Sequence, residues 1–361
     1  MTRKDSVFER NSVKTLAAVL LLCAVFLDFF GSYFWEMKRL LALVPKIPIS
    51  GEQDLYLHHG LKKNIHMNIM WGKMEYPIFT NSLGFKDSAN RKVPMSGRPG
   101  TQRLLILGDS FTEGIGMPYE VTFAGLLGKL LAPGTEVLNG GVSSYSPMLY
   151  NLKLSRLLGD YGLKVDKVLV MIDISDIQDE IIYQKDFIPS KERRPLWHAA
   201  RFLRNNSMIF AYFAKKRDKA QDAAAPRRAI WPTDTLLHQE RGIWDEDDAI
   251  YKKWGADGLA LAGRHMAEAA QLCRQQGVKL SIGVYPWAEQ ISGRRLKSKQ
   301  VLFWREFAKK ERVGFVDLFP YFINKIPTEK ILSMYFIPGD VHWNEAGHAL
   351  VARGIMNNME K

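Results

Sequence analysis

Short apolar runs recur along the chain from residue 101 onward, separated by longer stretches of mixed polarity. Five of them stand out: residues 103–107 (RLLIL), 136–142 (EVLNGGV), 167–174 (KVLVMIDI), 279–285 (KLSIGVY) and 314–318 (GFVDL). Each has the length and β-branched content of a strand buried on both faces. Residues 121–131 and 251–276 between them read as helices. The second carries Leu259, Leu261, Met266, Ala269, Ala270 and Cys273 near helical spacing. Strand and helix in alternation predict an α/β fold, with a mostly parallel five-stranded sheet covered on both faces. In such sheets functional groups gather just past the carboxyl ends of the strands.

The N-terminal pattern is different. Residues 15–35 (TLAAVLLLCAVFLDFFGSYFW) form an apolar run interrupted only by Asp28, and about 20 such residues are enough to span a bilayer as a helix. The acid at Asp28 opposes this by a few kcal/mol near mid-membrane, unless it lies toward the interface or faces a partner helix. A cleaved signal peptide is the main rival, but Glu36-Met37-Lys38-Arg39 lacks the small residues a peptidase needs. A lipoprotein site at Cys23 has Leu22 where a small residue belongs. The expected organisation is a cytoplasmic tail (1–14), a transmembrane anchor (15–35), a juxtamembrane lead-in (36–100) and an α/β domain (101–361). Arg3, Lys4, Arg10 and Lys14 before the span outweigh Lys38, Arg39 and Lys46 after it. That balance places the N-terminus in the cytoplasm and the domain outside, in the periplasm if the cell is Gram-negative.

Composition adds two exclusions. With 361 residues, 47% hydrophobic and 24% charged, the chain is globular rather than disordered. Two cysteines, Cys23 and Cys273, make neither a disulfide framework nor a cysteine-based zinc site. The net charge of +12 raises nucleic acid or an anionic membrane as partners. Between Lys191 and Arg228, eleven basic residues face three acidic ones, a net of +8 inside an insertion at about 184–254. Residues 196–216 there read as an amphipathic helix suited to a membrane surface or a lid, or as a packed helix with a solvated basic face. No nucleic-acid signature accompanies the charge, so nucleic acid is excluded.

The strand ends carry the chemistry. The first runs into Gly108-Asp109-Ser110-Phe111-Thr112-Glu113-Gly114, and the second into Asn139-Gly140-Gly141-Val142-Ser143-Ser144. The third ends in Asp173-Ile174-Ser175-Asp176. Past the last strand come Asp340-Val341-His342-Trp343-Asn344 and Gly347-His348. A serine, a histidine and an aspartate at one sheet edge are the set needed for nucleophilic acyl transfer. Ser110 would attack, His342 would take its proton and Asp340 would hold the imidazole tautomer. The N–H groups of Ser110 and Gly141 would bind the oxyanion. The competing readings are local: Ser110 as a helix N-cap, His342 as a satisfied surface histidine, Asp109 and His348 as structural residues, and Asp317 as a strand-end turn. Asp173, Asp176, Asp179 and Glu180 read as a solvated acidic loop rather than a metal site, and no cofactor is expected.

In these blocks the chain resembles the SGNH (GDSL-type) hydrolase superfamily, from about Arg103 to the C-terminus apart from the insertion. Thr80-Asn81-Ser82-Leu83-Gly84-Phe85 resembles a lead-in of its extracytoplasmic members. The resemblance implies a three-layer α/β/α, flavodoxin-like fold and a serine esterase. It departs in the third block, where Ser175 stands in place of the oxyanion asparagine and is an uncertain third donor. The last block has Asp340-x-His342 followed by Trp343, which is similar to polysaccharide O-acetyltransferases. The expected function is a membrane-anchored esterase removing acyl, chiefly acetyl, groups from an envelope glycan. The alternatives are an O-acetyltransferase, served by a membrane partner that supplies the acyl group, and a non-catalytic subunit of an envelope complex.

Overall fold

The apolar runs become the strands of one sheet in the computed structural model, which describes residues 11–43, 51–54, 56–186, 207, 209 and 240–359. The chain divides into two units, Met1–Ile47 with Lys191–Ile230 and Pro48–Ser190 with Trp231–Lys361. Most of the basic insertion, residues 196–206 and 210–216 of its amphipathic reading included, lies outside the described residues.

In the first unit, helix α1 (Ser12–Leu43) runs for 32 residues. Its Val13–Ser32 segment, with mean hydropathy 2.2, is long and apolar enough to cross a membrane. The side chains of Leu20, Leu21, Leu22 and Phe26 are exposed. Asp28 is not left without a donor, because the Ile209 N–H donates to its carboxylate at 2.9 Å.

The second unit holds the sheet. Strands β1 (Gly51–Asp54) and β2 (His58–Leu61) form a separate antiparallel hairpin. Strands β3 (His66–Trp71), β4 (Met74–Thr80), β5 (Lys86–Asp87), β6 (Gln102–Leu107), β7 (Thr135–Asn139), β8 (Lys167–Ile172), β9 (Lys279–Val284) and β10 (Gly314–Asp317) make an eight-stranded sheet. Its order is β10-β9-β8-β6-β7-β5-β4-β3. The five expected strands, β6 to β10, are all parallel. Numbered along the chain they lie in the order 2-1-3-4-5, the doubly wound arrangement in which ligands sit where the winding reverses.

The sheet is therefore wider than the five strands expected. Strands β3 to β5 extend it antiparallel, with Lys86 of β5 paired to Asn139 of β7. Burial alternates along β3 and largely along β4, the pattern of a sheet with one wet face. Such strands lack the continuous apolar run that marks β6 or β8, whose residues are nearly all buried.

Helices cover the parallel part. The short α2 (Ser110–Glu113) and α3 (Phe123–Leu130) follow β6, and α4 (Pro147–Leu154) follows β7. Next come α5 (Asp176–Asp186), α6 (Ala256–Gln275), α7 (Lys299–Glu311) and α8 (Glu345–Met359). Helices α3 and α8 pack together, α3 on β7 and α8 on β10. Helix α6 packs on α4, α5 and α7, and with α7 on β9. The winding reverses at β6, between β7 and β8, so its carboxyl end opens at the crevice and delivers Ser110 there.

Candidate active site

The turn from β6 into α2 is built around Asp109. Its carboxylate accepts the Phe111 N–H at 3.0 Å and caps the helix. The Tyr285 hydroxyl, just past β9, donates to the same oxygen at 2.9 Å. Ser110 thus caps nothing; it occupies the first helical position, half-buried, with its neighbours Phe111, Thr112 and Glu113 inside. Asp109 is structural, as expected.

His342 lies between the nucleophile and its acid. Its Nε2 is 2.8 Å from Ser110 Oγ, and its Nδ1 is 2.5 Å from Asp340 Oδ1. The Asp340 carboxylate also accepts the His342 backbone N–H at 2.9 Å. Burial works against the Asp340 charge, but the His342 hydrogen bond and charge outweigh it, so the carboxyl sits below its ordinary value. That order, hydroxyl to imidazole to ionised carboxylate, is what proton removal from a serine requires. Phe111 lies 4.9 Å from the imidazole, ring centre to ring centre. Trp343, fully buried, packs on Phe111, Tyr285 and His348. It is a core residue behind the site.

Two of the three expected oxyanion donors are already committed. The Gly141 N–H donates to Asn139 Oδ1 at 3.1 Å. The glycine is needed there for space, since a Cβ would lie 2.4 Å from the Glu113 nitrogen. Ser175 is corrected outright: its hydroxyl and N–H both donate to Asp173 Oδ1, at 2.8 and 2.7 Å. The hydroxyl has one proton, and Asp173, two residues earlier, captures it. Among the described residues, the N–H groups of Ser110 and Ser144 make no protein hydrogen bond. Ser144 holds the left-handed φ of +59°, and its carbonyl accepts the Tyr183 hydroxyl at 2.7 Å. Beside it, Glu113 accepts the Ser143 N–H and hydroxyl at 2.8 and 2.7 Å. The loop after β7 is thereby tied to the helix that carries Ser110.

The acidic residues after β8 are buried, not solvated. Burial, reinforced by the neighbouring Asp173 carboxyl, pushes Asp109 and Asp176 well above the ordinary carboxylate range. Carboxylate oxygens of Asp109, Asp173 and Asp176 lie within 4.8 Å of one another. Donors reach all three: Trp287 Nε1 on Asp173 at 2.6 Å and the Tyr150 hydroxyl on Asp176 Oδ2 at 2.9 Å, beside Tyr285 on Asp109, while Asp176 Oδ1 is buried with no partner among the described residues. Glu180 binds elsewhere, accepting from Ser146 and Met148 and pairing with His265. His348 accepts the Phe123 N–H at 3.2 Å, and burial drives its pKa down to about 3. Asp317 caps Phe319 and pairs with Arg305.

Sequence reasoning missed three further groups. Trp71 donates its indole N–H to Asp340 at 2.6 Å. Lys86 and Lys153 are buried behind the loop, donating to the carbonyls of Gly114 and Gly140. Burial lowers them to about 8 and about 7, against the opposing charge of Glu113. An indole or a lysine has no local motif, so only Lys86 had a signal, its place directly after the Asn81–Phe85 lead-in. Asn81 itself accepts from Leu83 and Phe85 and donates to Asp87, which makes the turn into β5.

Fold and site together are those of a doubly wound α/β protein with a Ser-His-Asp constellation past the strand ends. No family model matches the chain, and no curated protein matches it. Among solved structures it is similar to TesA, at 14% identity and a TM-score of 0.40 over 72% of this chain and 98% of that one. It is similar also to a lipolytic G-D-S-L family protein from Veillonella parvula, at 12% identity and 0.41 over 72% of this chain and 100% of that one. The acetylxylan esterase Axe2 from Geobacillus stearothermophilus is a third, at 15% identity and 0.38 over 73% of this chain and 96% of that one.

Proposed function

We propose that this protein is a membrane-anchored SGNH-type serine esterase that removes short acyl groups, acetyl first among them, from an envelope or extracellular glycan. The observation that carries it is the unbroken Ser110–His342–Asp340 chain of hydrogen bonds. His342 takes the proton as Ser110 Oγ attacks the ester carbonyl, and Asp340 stabilises the imidazolium. The Ser110 and Ser144 N–H groups, which have no protein acceptor among the described residues, are the donors this reading assigns to the developing oxyanion. The leaving sugar hydroxyl receives the proton from His342, and water repeats the sequence to free the acid. Helix α1 supports the anchor, the flanking charges favour a site outside the cytoplasm, and that compartment would supply a glycan as substrate.

The test uses the full-length protein in detergent with p-nitrophenyl acetate and an acetylated oligosaccharide. Wild type should release free acetate, and Ser110→Ala should lose at least about 10³-fold in rate. Acetyl groups appearing on an added oligosaccharide, with little free acid, would replace hydrolysis by transfer. A folded protein that neither turns over nor labels with a fluorophosphonate at Ser110 would remove catalysis altogether.

A further inference from the structure

Asp340 has two carboxylate oxygens, and the structure gives each a different partner. Oδ1 takes His342, through both Nδ1 and the backbone N–H. Oδ2 takes Trp71 Nε1 at 2.6 Å, from a residue 269 positions away in sequence. The indole also stands edge-on to the imidazole, with ring centres 5.4 Å apart and planes at 87°. It therefore touches both members of the pair that activates Ser110.

The indole is held there by a built support. Trp71 ends β3, Met74 begins β4, and the two are paired across the hairpin. Gly72, at φ +59°, supplies the backbone that a two-residue turn of this kind needs. Beneath the ring lies Gly116, where a Cβ would sit 3.0 Å from Met74 Cε and Ile337 Cδ1 and 3.5 Å from Trp71 Cδ1. A side chain at 116 would press on Met74 and Ile337, touch the indole and be strained at φ +81°. Asp340 lies on the loop from Ile337 to His342, closed by hydrogen bonds from Ile337 N to His342 O and from Asp340 N to Ile337 O. Without Trp71 the carboxylate would be held through one oxygen alone, by His342, and Oδ2 would lose its donor.

We propose that Trp71 is a positioning residue of the active site: it pins Asp340 so that His342 stays aimed at Ser110, which makes the β3–β4 hairpin part of the catalytic unit. The indole is a neutral donor, so it orients the carboxylate while leaving its charge to the imidazolium. This rests on the serine-esterase reading for its kinetic consequence, but not for the hydrogen bond itself.

The experiment compares Trp71→Phe with wild type, as full-length protein in detergent, alone and in an Asp340→Ala background. Turnover of p-nitrophenyl acetate and the rate of fluorophosphonate labelling at Ser110 should both fall about tenfold in Trp71→Phe, with KM unchanged within about twofold. The same substitution in Asp340→Ala should change neither rate, because the residue it acts through is gone. The low-field proton resonance of the His342–Asp340 hydrogen bond should move in Trp71→Phe, and it reads the contact without any turnover. Unchanged rates in an active enzyme, an equal loss in the Asp340→Ala background, or an unmoved resonance would each overturn the proposal. A wild type that neither turns over nor labels, with a resonance that still moves, would sink the esterase reading and leave the Trp71 link standing.

Discussion

Glu113 accepts both the N–H and the hydroxyl of Ser143, so the helix that bears the nucleophile also holds the loop that bears the Ser144 N–H. The same carboxylate is the strongest opposing charge acting on the buried Lys86 and Lys153. Glu113→Gln keeps the size and removes the charge. It should cost about 2 kcal/mol of stability and, if the Ser144 N–H serves the oxyanion as proposed, lower kcat at least about tenfold. Thermal denaturation beside ester turnover measures both, and an unchanged kcat would separate the loop from catalysis.

Ser175 offers a sharp contrast. Its hydroxyl belongs to Asp173, so Ser175→Ala should change turnover less than about threefold, whereas loss of a true oxyanion donor costs about 10²–10³. A fall of that larger size would return the hydroxyl to the site.

Lys153 makes stability depend on pH. Burial lowers its folded pKa to about 7 from the ordinary 10.5, so the unfolded chain binds the extra proton between those values. Stability should therefore rise as pH goes from about 7 to about 10, and level off below about 7, where both states carry the proton. Melting temperatures across that range should show the rise in wild type and a smaller one in Lys153→Met, where no proton is exchanged. Parallel curves would contradict the assignment.

His265 acts in the opposite sense. Burial disfavours its charge, but Glu180, wholly buried, outweighs this and raises the imidazole above its ordinary value. Its stabilisation is complete below about pH 6 and fades as pH rises through the folded value. His265→Gln should cost about 1 kcal/mol at pH 6 and less at pH 9. Chemical denaturation at the two pH values checks this, and a cost that grows with pH would refute it.

Much of the architecture was legible because buried strands advertise themselves. Residues 103–107 and 167–172 are continuous apolar runs, and they form β6 and β8 at the centre of the sheet. Strand β3 (HMNIMW) has one wet face and alternates, so it reads as an undistinguished lead-in until its partner β4 is in place. The acids after β8 misled for a related reason. Four acids within eight positions suggest solvent, yet here they are buried, and donors such as Trp287, Tyr150, Arg241 and Ser146 make that tolerable.

By itself the sequence determined the residue types and their order: Ser110 directly after a strand, Asp340 and His342 two positions apart, and glycines where backbone must approach backbone. Those features are local, and covalent spacing is enough to constrain them. Only the tertiary structure decided which donor each acceptor receives. Ser175 could have served the oxyanion or Asp173, and Asp340 could have had one partner or two. A proton has one destination, and its choice depends on groups brought together from distant parts of the chain, as Trp71 is brought to Asp340. Packing makes that choice, and no motif encodes it.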